Sequence, residues 1–255
     1  MNTNEASAEY RYYSGLMDGR NPNNPTSVDW DQAFRHLRTG LTFAPGGRYA
    51  IVPKASPSTG EDLLEVGCGF GECSAYMAKQ LGFRVTGADI FLGPHLTQEQ
   101  YPGMQFLQFN ANNRFPLADA SFDVAVAMMV MEHVFEPFDF LRELHRVLKP
   151  GATLYLNVPL LSAIQHRMTV LFGGLPTTSS AGWFEKRTWD GGHLHFFTVK
   201  TLSALMAACG FRMHTMQAVG RLAGLKTLLP NILAKELSVA CERVAWPVQA
   251  ASETP

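Results

Sequence analysis

The stretch LLEVGCGFGECSAY, Leu63 to Tyr76, sets three glycines in five positions, Gly67, Gly69 and Gly71, where an apolar run ends. Glycine loses more backbone freedom on folding than any other residue, so a cluster of it needs a reason. At the carboxyl end of a strand, glycines let a ligand approach the backbone, and the first turn of a following helix offers unbonded N–H groups. The alternative is a tight strand-to-helix turn without a ligand. A dinucleotide loop would read G-x-G-x-x-G, with phosphate on the helix N-terminus. Counted from Gly67, its last glycine should fall at 72, where this chain has Glu72. A carboxylate there repels a pyrophosphate, and Glu65, just ahead of the loop, likewise suits a cationic ligand. A further acid, Asp89, ends the next apolar run 18 residues after Gly71. A carboxylate at that point can accept both hydroxyls of a ribose. The ligand called for is a nucleoside that carries positive charge and lacks phosphate.

Such a loop has to be held by strands and helices in alternation, and from residue 61 the chain reads that way. DLLEVG is a buried strand, GECSAYMAKQLG a helix closed by Gly82, FRVTGADI a second strand, MQFLQFN a third and SFDVAVAMMV a fourth. EPFDFLRELHRVLKPG is a helix with Pro137 in its first turn and an apolar stripe of Phe138, Leu141, Leu144 and Leu148, stopped by Pro150-Gly151. ATLYLNVPL is a fifth strand. The alternation predicts an α/β domain with a mostly parallel sheet covered on both faces. After Leu161 the rhythm breaks, and residues 162–192 read as an insertion. HLHFFT then leads into a helix, VKTLSALMAACGF, with Thr198 as N-cap and Gly210 closing it. RMHTMQAVG and AKELSVACERV are each candidates for a closing strand. Residues 1–60 are irregular, with turn chemistry in GRNPNNPTS and APGG and one short helix within VDWDQAFRHLRTG. The expected division is an N-terminal segment, 1–60, and a main domain, 61–245.

Taken together, EVGCGFG, ADI, FNANNRFPLADASFDVAVAMMVMEHV and LHRVLKPGATLYLNVP resemble, in that order, the motifs of the class I S-adenosylmethionine-dependent methyltransferases. The resemblance covers about residues 61–160. It implies a doubly wound, mostly parallel seven-stranded Rossmann-like sheet, S-adenosylmethionine as cofactor and S-adenosylhomocysteine as product. It implies that Gly67, Gly69 and Gly71 approach the methionine part, and that Glu65 lies beneath it and orients the loop or the amino group. Asp89 would bind the ribose hydroxyls, with Ile90 against the adenine and Asn110 and Ala111 at the adenine edge. The family's frequent Asp-Ala is Asn-Ala here. Met128 and Met129 would lie under the cofactor, the alternative being plain core packing. The order of the later segments is similar to that of the MetW-like branch. That similarity leaves a second function open beside methyl transfer to a small molecule: a methyltransferase-like cofactor-binding or regulatory partner.

Methyl transfer from a sulfonium needs alignment and a dry site, and a hydroxyl acceptor also needs a base. Glu132-His133 follows the fourth strand, near where the methyl should point, so His133 is a candidate base. A related group of O-methyltransferases carries a further acid before the Glu-His pair and uses a metal. Met128, Met129, Val130 and Met131 stand there in this chain, and no metal is expected. His193 and His195 share one face if extended and follow the insertion, so either could reach an acceptor. With His166 they form no known metal-ligand spacing. Tyr10, Tyr12 and Tyr13 are candidates for lining the site, and Arg167, Lys186 and Arg187 for meeting an acidic acceptor. The N-terminal segment and the post-strand-5 insertion are expected to form a lid.

The bulk composition narrows the classes. The chain has 255 residues, 46% hydrophobic and 17% charged, with net charge -1. That is enough for a core, and it provides no basic field for nucleic acid or an anionic membrane. Cys68, Cys73, Cys209 and Cys241 form no CxxC pair or zinc spacing. The polar, aromatic start and the absence of a long apolar run predict a reduced cytoplasmic protein with no membrane partner. The expected partner is a small-molecule acceptor. A homodimer stays open.

Overall fold

A computed structural model of the chain describes residues 42–55, 60–92, 96, 101–178 and 192–246. Leu63 and Leu64 adjoin in β1 (Asp62–Val66), are both fully buried, and belong to different apolar clusters. Successive strand residues point to opposite faces, so a strand covered on both sides must be apolar throughout. The same division runs along β4 (Phe122–Met128). Ala125 and Ala127 join one cluster, and Val124, Val126 and Met128 the other.

The sheet has seven strands in the order β3 (Gln105–Gln108), β2 (Arg84–Asp89), β1, β4, β5 (Leu148–Pro159), β7 (Glu236–Arg243), β6 (Phe211–Ala218). Strands β1 to β5 are parallel, while β7 runs antiparallel to β5 and β6. Both late apolar segments are therefore strands. The order reverses between β1 and β4, and this switch point opens a crevice at the carboxyl ends of the strands.

Helix α1 (Glu72–Tyr76) continues as a π-helical turn over Met77–Leu81 and stops at Gly82, whose φ is 86°. Helix α2 (Pro137–Val147) starts with Pro137, and the Glu136 side chain accepts from Phe138 N at 3.1 Å. Its buried face is Phe140, Leu141, Leu144 and Val147, whereas Phe138 is 49% exposed. The expected stripe was thus rotated: Phe138 lies one step off the face that meets the sheet, and Phe140 takes its place. The helix also ends earlier than Pro150-Gly151, because β5 begins at Leu148. Phe122 pairs with Leu148 and Val124 with Thr153, so Pro150-Gly151 lies within a bulge of the strand.

The insertion contains helix α3 (Ile164–Leu171). Helix α4 (Val199–Ala208) is capped as expected by Thr198: Thr201 N donates to Thr198 Oγ1 at 3.1 Å, and Thr198 N donates to Thr201 Oγ1 at 2.9 Å. Tyr49, Val52 and Ala55 pack into the cluster holding Leu63, Val126 and Met128, so this part of the N-terminal segment covers one face of the sheet. The helix expected within residues 28–40, Tyr10, Tyr12, Tyr13, Lys186 and Arg187 lie outside the described residues. No described helix is long and apolar enough to cross a membrane.

Phe140→Ala should destabilise the protein by about 3–5 kcal/mol through the cavity it leaves. Phe138→Ala should stay within about 0.5 kcal/mol of the parent. Chemical denaturation of the two variants measures the difference.

Candidate active site

The glycine loop bridges β1 and α1 beside the carboxyl end of β2. Gly67 N and Cys68 N both donate to the Ala88 carbonyl, at 2.7 and 3.0 Å. All three loop glycines have positive φ, which only glycine adopts freely. Their surroundings differ. A Cβ on Gly67 would come within 2.4 Å of Val130, and one on Gly71 within 2.6 Å of Leu96. Gly69 has no described atom within 4 Å of that position. Gly67 and Gly71 thus let the loop pack against its own protein, and Gly69 is the one whose missing side chain leaves open space.

Beneath the loop, Glu65 is 1% exposed. It accepts from Tyr49 Oη at 2.6 Å and from Ser74 Oγ. Burial raises its pKa to about 7, against the opposing pull of the Ser74 and Tyr49 hydrogen bonds. Glu65 therefore ties together β1, α1 and the N-terminal segment. Glu72, at the start of α1, is also pushed up to about 7 by burial. Asp89 ends β2, where its Oδ2 accepts from Gly69 N at 2.8 Å and its Oδ1 from Phe91 N at 3.2 Å. Ile90 follows it, half-buried.

Past β3, Asn110 Oδ1 accepts from Asn112 N at 2.9 Å and from Asn112 Nδ2 at 3.0 Å, a local turn that includes Ala111. Asn112 Oδ1 in turn accepts from Phe135 N at 2.6 Å, joining this turn to the one after β4. Met128 is buried at the end of β4, and Met129 holds a left-handed conformation with φ 60°.

The turn after β4 carries the densest chemistry among the described residues. Glu132, His133 and His193 each offer a donor atom, and these atoms lie within 4.8 Å of one another. The two imidazoles meet edge to face with centroids 4.8 Å apart. Glu132 is fully buried, and neither carboxylate oxygen has a hydrogen-bond partner among the described residues. Burial raises its pKa to about 8. The cluster is assembled by backbone pairing: Leu194 N and His195 N donate to the Glu132 carbonyl at 2.7 and 3.2 Å. His195 itself does not join the cluster. Its Nε2 meets the Val134 and Phe135 carbonyls at 2.9 and 3.3 Å. His166 lies buried on α3, and Arg167 is engaged with the Ser162 and Asn231 carbonyls.

The sequence matches the model of the methyltransferase domain over residues 30–216. The chain belongs to the class I S-adenosylmethionine-dependent methyltransferase family. The demethylmenaquinone methyltransferase of Chlorobaculum tepidum is 29% identical over 160 residues, 59% of this chain and 65% of that protein. The chain thus spans just under two thirds of that relative. The ubiquinone biosynthesis O-methyltransferase of Aeromonas salmonicida is 26% identical over 204 residues, 77% of this chain and 73% of that one. Among solved structures, the 1,6-didemethyltoxoflavin-N1-methyltransferase of Burkholderia thailandensis superposes with a TM-score of 0.55 at 19% identity. That match covers 92% of this chain and 87% of the other, and it is a likeness of fold.

Sequence reasoning missed Tyr49, Arg48 and Ser74. Arg48 forms a two-pronged ion pair with Glu236, at 2.7 and 2.9 Å, beside the carboxyl ends of the strands. An aromatic and a basic residue directly after the APGG turn were the available signal. The four cysteines are free thiols. Burial holds Cys209 at about 11 and Cys241 at about 12, so neither is a thiolate at neutral pH.

Because the folded-state pKa of Glu65 is raised from 4.5, its favourable protonated form is lost as pH climbs toward 7. Glu65→Gln should therefore gain on the parent by about 2–3 kcal/mol between pH 5 and pH 8. Urea denaturation of both proteins across that range reads the difference, and a constant gap would disprove the assignment.

Proposed function

We infer that this protein binds S-adenosylmethionine over the Gly67–Gly71 loop and transfers its methyl group to an oxygen or nitrogen of a small-molecule acceptor. The observation that carries the reading is the Asp89–Gly69 pair. The carboxylate that ends β2 holds the N–H of the one loop glycine that leaves open space. Asp89 then takes the ribose hydroxyls, Ile90 flanks the adenine, and Asn110 and Ala111 line its edge. Met128 and Met129 lie under the cofactor. Residues 1–60 and the 162–192 insertion act as the lid over the 61–245 domain.

A sulfonium is already a good leaving group, so alignment and water exclusion supply most of the catalysis. A lone pair on the acceptor attacks the methyl carbon as the carbon–sulfur bond breaks. The bonding pair stays on sulfur, and S-adenosylhomocysteine departs. A hydroxyl acceptor also loses a proton, and the Glu132–His133–His193 cluster is where it is withdrawn. His195 positions that turn through the Val134 and Phe135 carbonyls. The names of the two curated relatives support an aromatic acceptor of quinone type.

Calorimetric titration with S-adenosylmethionine and S-adenosylhomocysteine should show micromolar binding, and NAD should show none. Asp89→Ala should weaken binding by about 1–3 kcal/mol. Gly69→Ala should fold, at about 1–2 kcal/mol for the left-handed backbone, yet bind at least about tenfold more weakly. Unchanged affinity in both folded variants would sink the cofactor site. Intact binding without turnover across hydroxylated aromatics and amines would favour the partner-protein reading raised by the MetW-like order of segments.

A further inference from the structure

Glu132 poses an unsolved problem in electrostatics. It is fully buried, and neither of its oxygens accepts a hydrogen bond from a described residue. An orphaned buried carboxylate is costly, and such groups are ordinarily paired or bound to a metal. Among the described residues its near neighbours are two imidazoles. Arg48, a cation that acts on it through space, is already held by Glu236.

The two imidazoles are themselves braced from outside. His133 Nδ1 donates to the Gly192 carbonyl at 3.1 Å, and His193 Nδ1 meets Thr178 Oγ1 at 2.6 Å. An outer hydrogen bond on one ring nitrogen orients an imidazole for ligation through the other. Both braces come from the 162–192 insertion, Thr178 within it and Gly192 at its end.

We propose that Glu132, His133 and His193 form a binding site for a divalent transition-metal cation of the zinc class. Two imidazoles and one carboxylate are borderline donors that suit such a cation better than magnesium or calcium. Three protein ligands leave a coordination position for an exogenous oxygen, as catalytic sites require. The donor atoms lie within 4.8 Å of one another, and side-chain rotation toward a shared centre would bring them to the usual distance of about 2.0–2.2 Å from a cation. The ligand missing from the run ahead of Glu132 is thus supplied by His193, 61 positions after Glu132.

Binding of the cation stands apart from the methyl-transfer reading, whereas its role rests on it. With the metal in place the imidazoles are ligands and not bases. The acceptor hydroxyl coordinates the cation and loses its proton to solvent water. The resulting oxyanion attacks the methyl carbon as the carbon–sulfur electron pair passes to sulfur.

The test uses full-length protein stripped by a chelator and titrated with cobalt(II) by visible absorbance and with zinc by calorimetry. One equivalent per chain is expected, with cobalt d–d bands and no thiolate-to-cobalt charge-transfer band. Glu132→Gln and His193→Ala should each bind at least about tenfold more weakly. His214→Ala, which removes an exposed imidazole on β6, should bind like the parent. Circular dichroism identifies the folded variants. No stoichiometric uptake, a thiolate charge-transfer band in the parent protein, or parental affinity in both cluster variants would overturn the site. None of these readouts involves S-adenosylmethionine, so failure here and failure of the cofactor reading are separately visible.

Discussion

A carboxylate removed from water demands compensation, and in this protein Glu65 receives it from two directions. Tyr49 donates from the N-terminal segment and Ser74 from α1, while Glu65 itself belongs to β1. Neither donor is near it without the fold, since Tyr49 comes before the strand and Ser74 only after the glycine loop. Each hydrogen bond to a charged group contributes about 1.5–3 kcal/mol, and losing one leaves a desolvated acceptor behind. The path of the loop is therefore fixed at both ends: by Ser74 below and by the Ala88 carbonyl, which receives Gly67 N and Cys68 N, at the side. The left-handed backbone at Gly67 and the close approach of Val130 follow from that path.

Val130 carries the constraint to the other half of the crevice. It packs on Gly67 at the start of the turn that presents Glu132 and His133, so the glycine loop and that turn share a wall. Met129 enters that turn with φ 60°, a conformation costing a non-glycine residue about 1–2 kcal/mol. The hydrogen bond from its N–H to the Asn157 carbonyl, and those from Leu194 and His195 to the Glu132 carbonyl, hold it there. Asn157 in turn bonds Ser238, and Ser238 donates to the Arg48 carbonyl. The strained turn is thus tied to β5, β7 and the N-terminal segment.

The parallel half of the fold was legible because its signals are local. Apolar runs between glycine turns mark β1, β2 and β4, and Thr198 three positions before Thr201 marks the start of α4. The α2 stripe was misplaced by its first member because heptad-like spacing allows either Phe138 or Phe140, and only the sheet decides between them. Asp89 and the glycines could be named from the chain, but their division of labour could not. Whether a missing Cβ faces Val130, Leu96 or open space depends on residues far away in sequence. Tyr49 and His193 were obscure for the same reason. Each meets its partner across a long separation, and in the case of His193 the chain between contains an entire strand and an insertion.

The net charge of -1 conceals how charge is distributed around the crevice. Glu65 and Glu72 flank the loop, and burial pushes both toward neutrality. Asp89 stays anchored to backbone N–H groups at the next strand end. A phosphate brought against this arrangement would meet carboxyl groups that resist ionising beside it, with no lysine or arginine hydrogen-bonded to the loop carboxylates among the described residues. A cation does the reverse: it favours the charged forms of Glu65 and Glu72 and offsets the desolvation that raised them. Glu65 and Glu72 thus set the loop against a phosphate and in favour of a cation. That preference, more than the glycines, makes the loop suited to a sulfonium nucleoside.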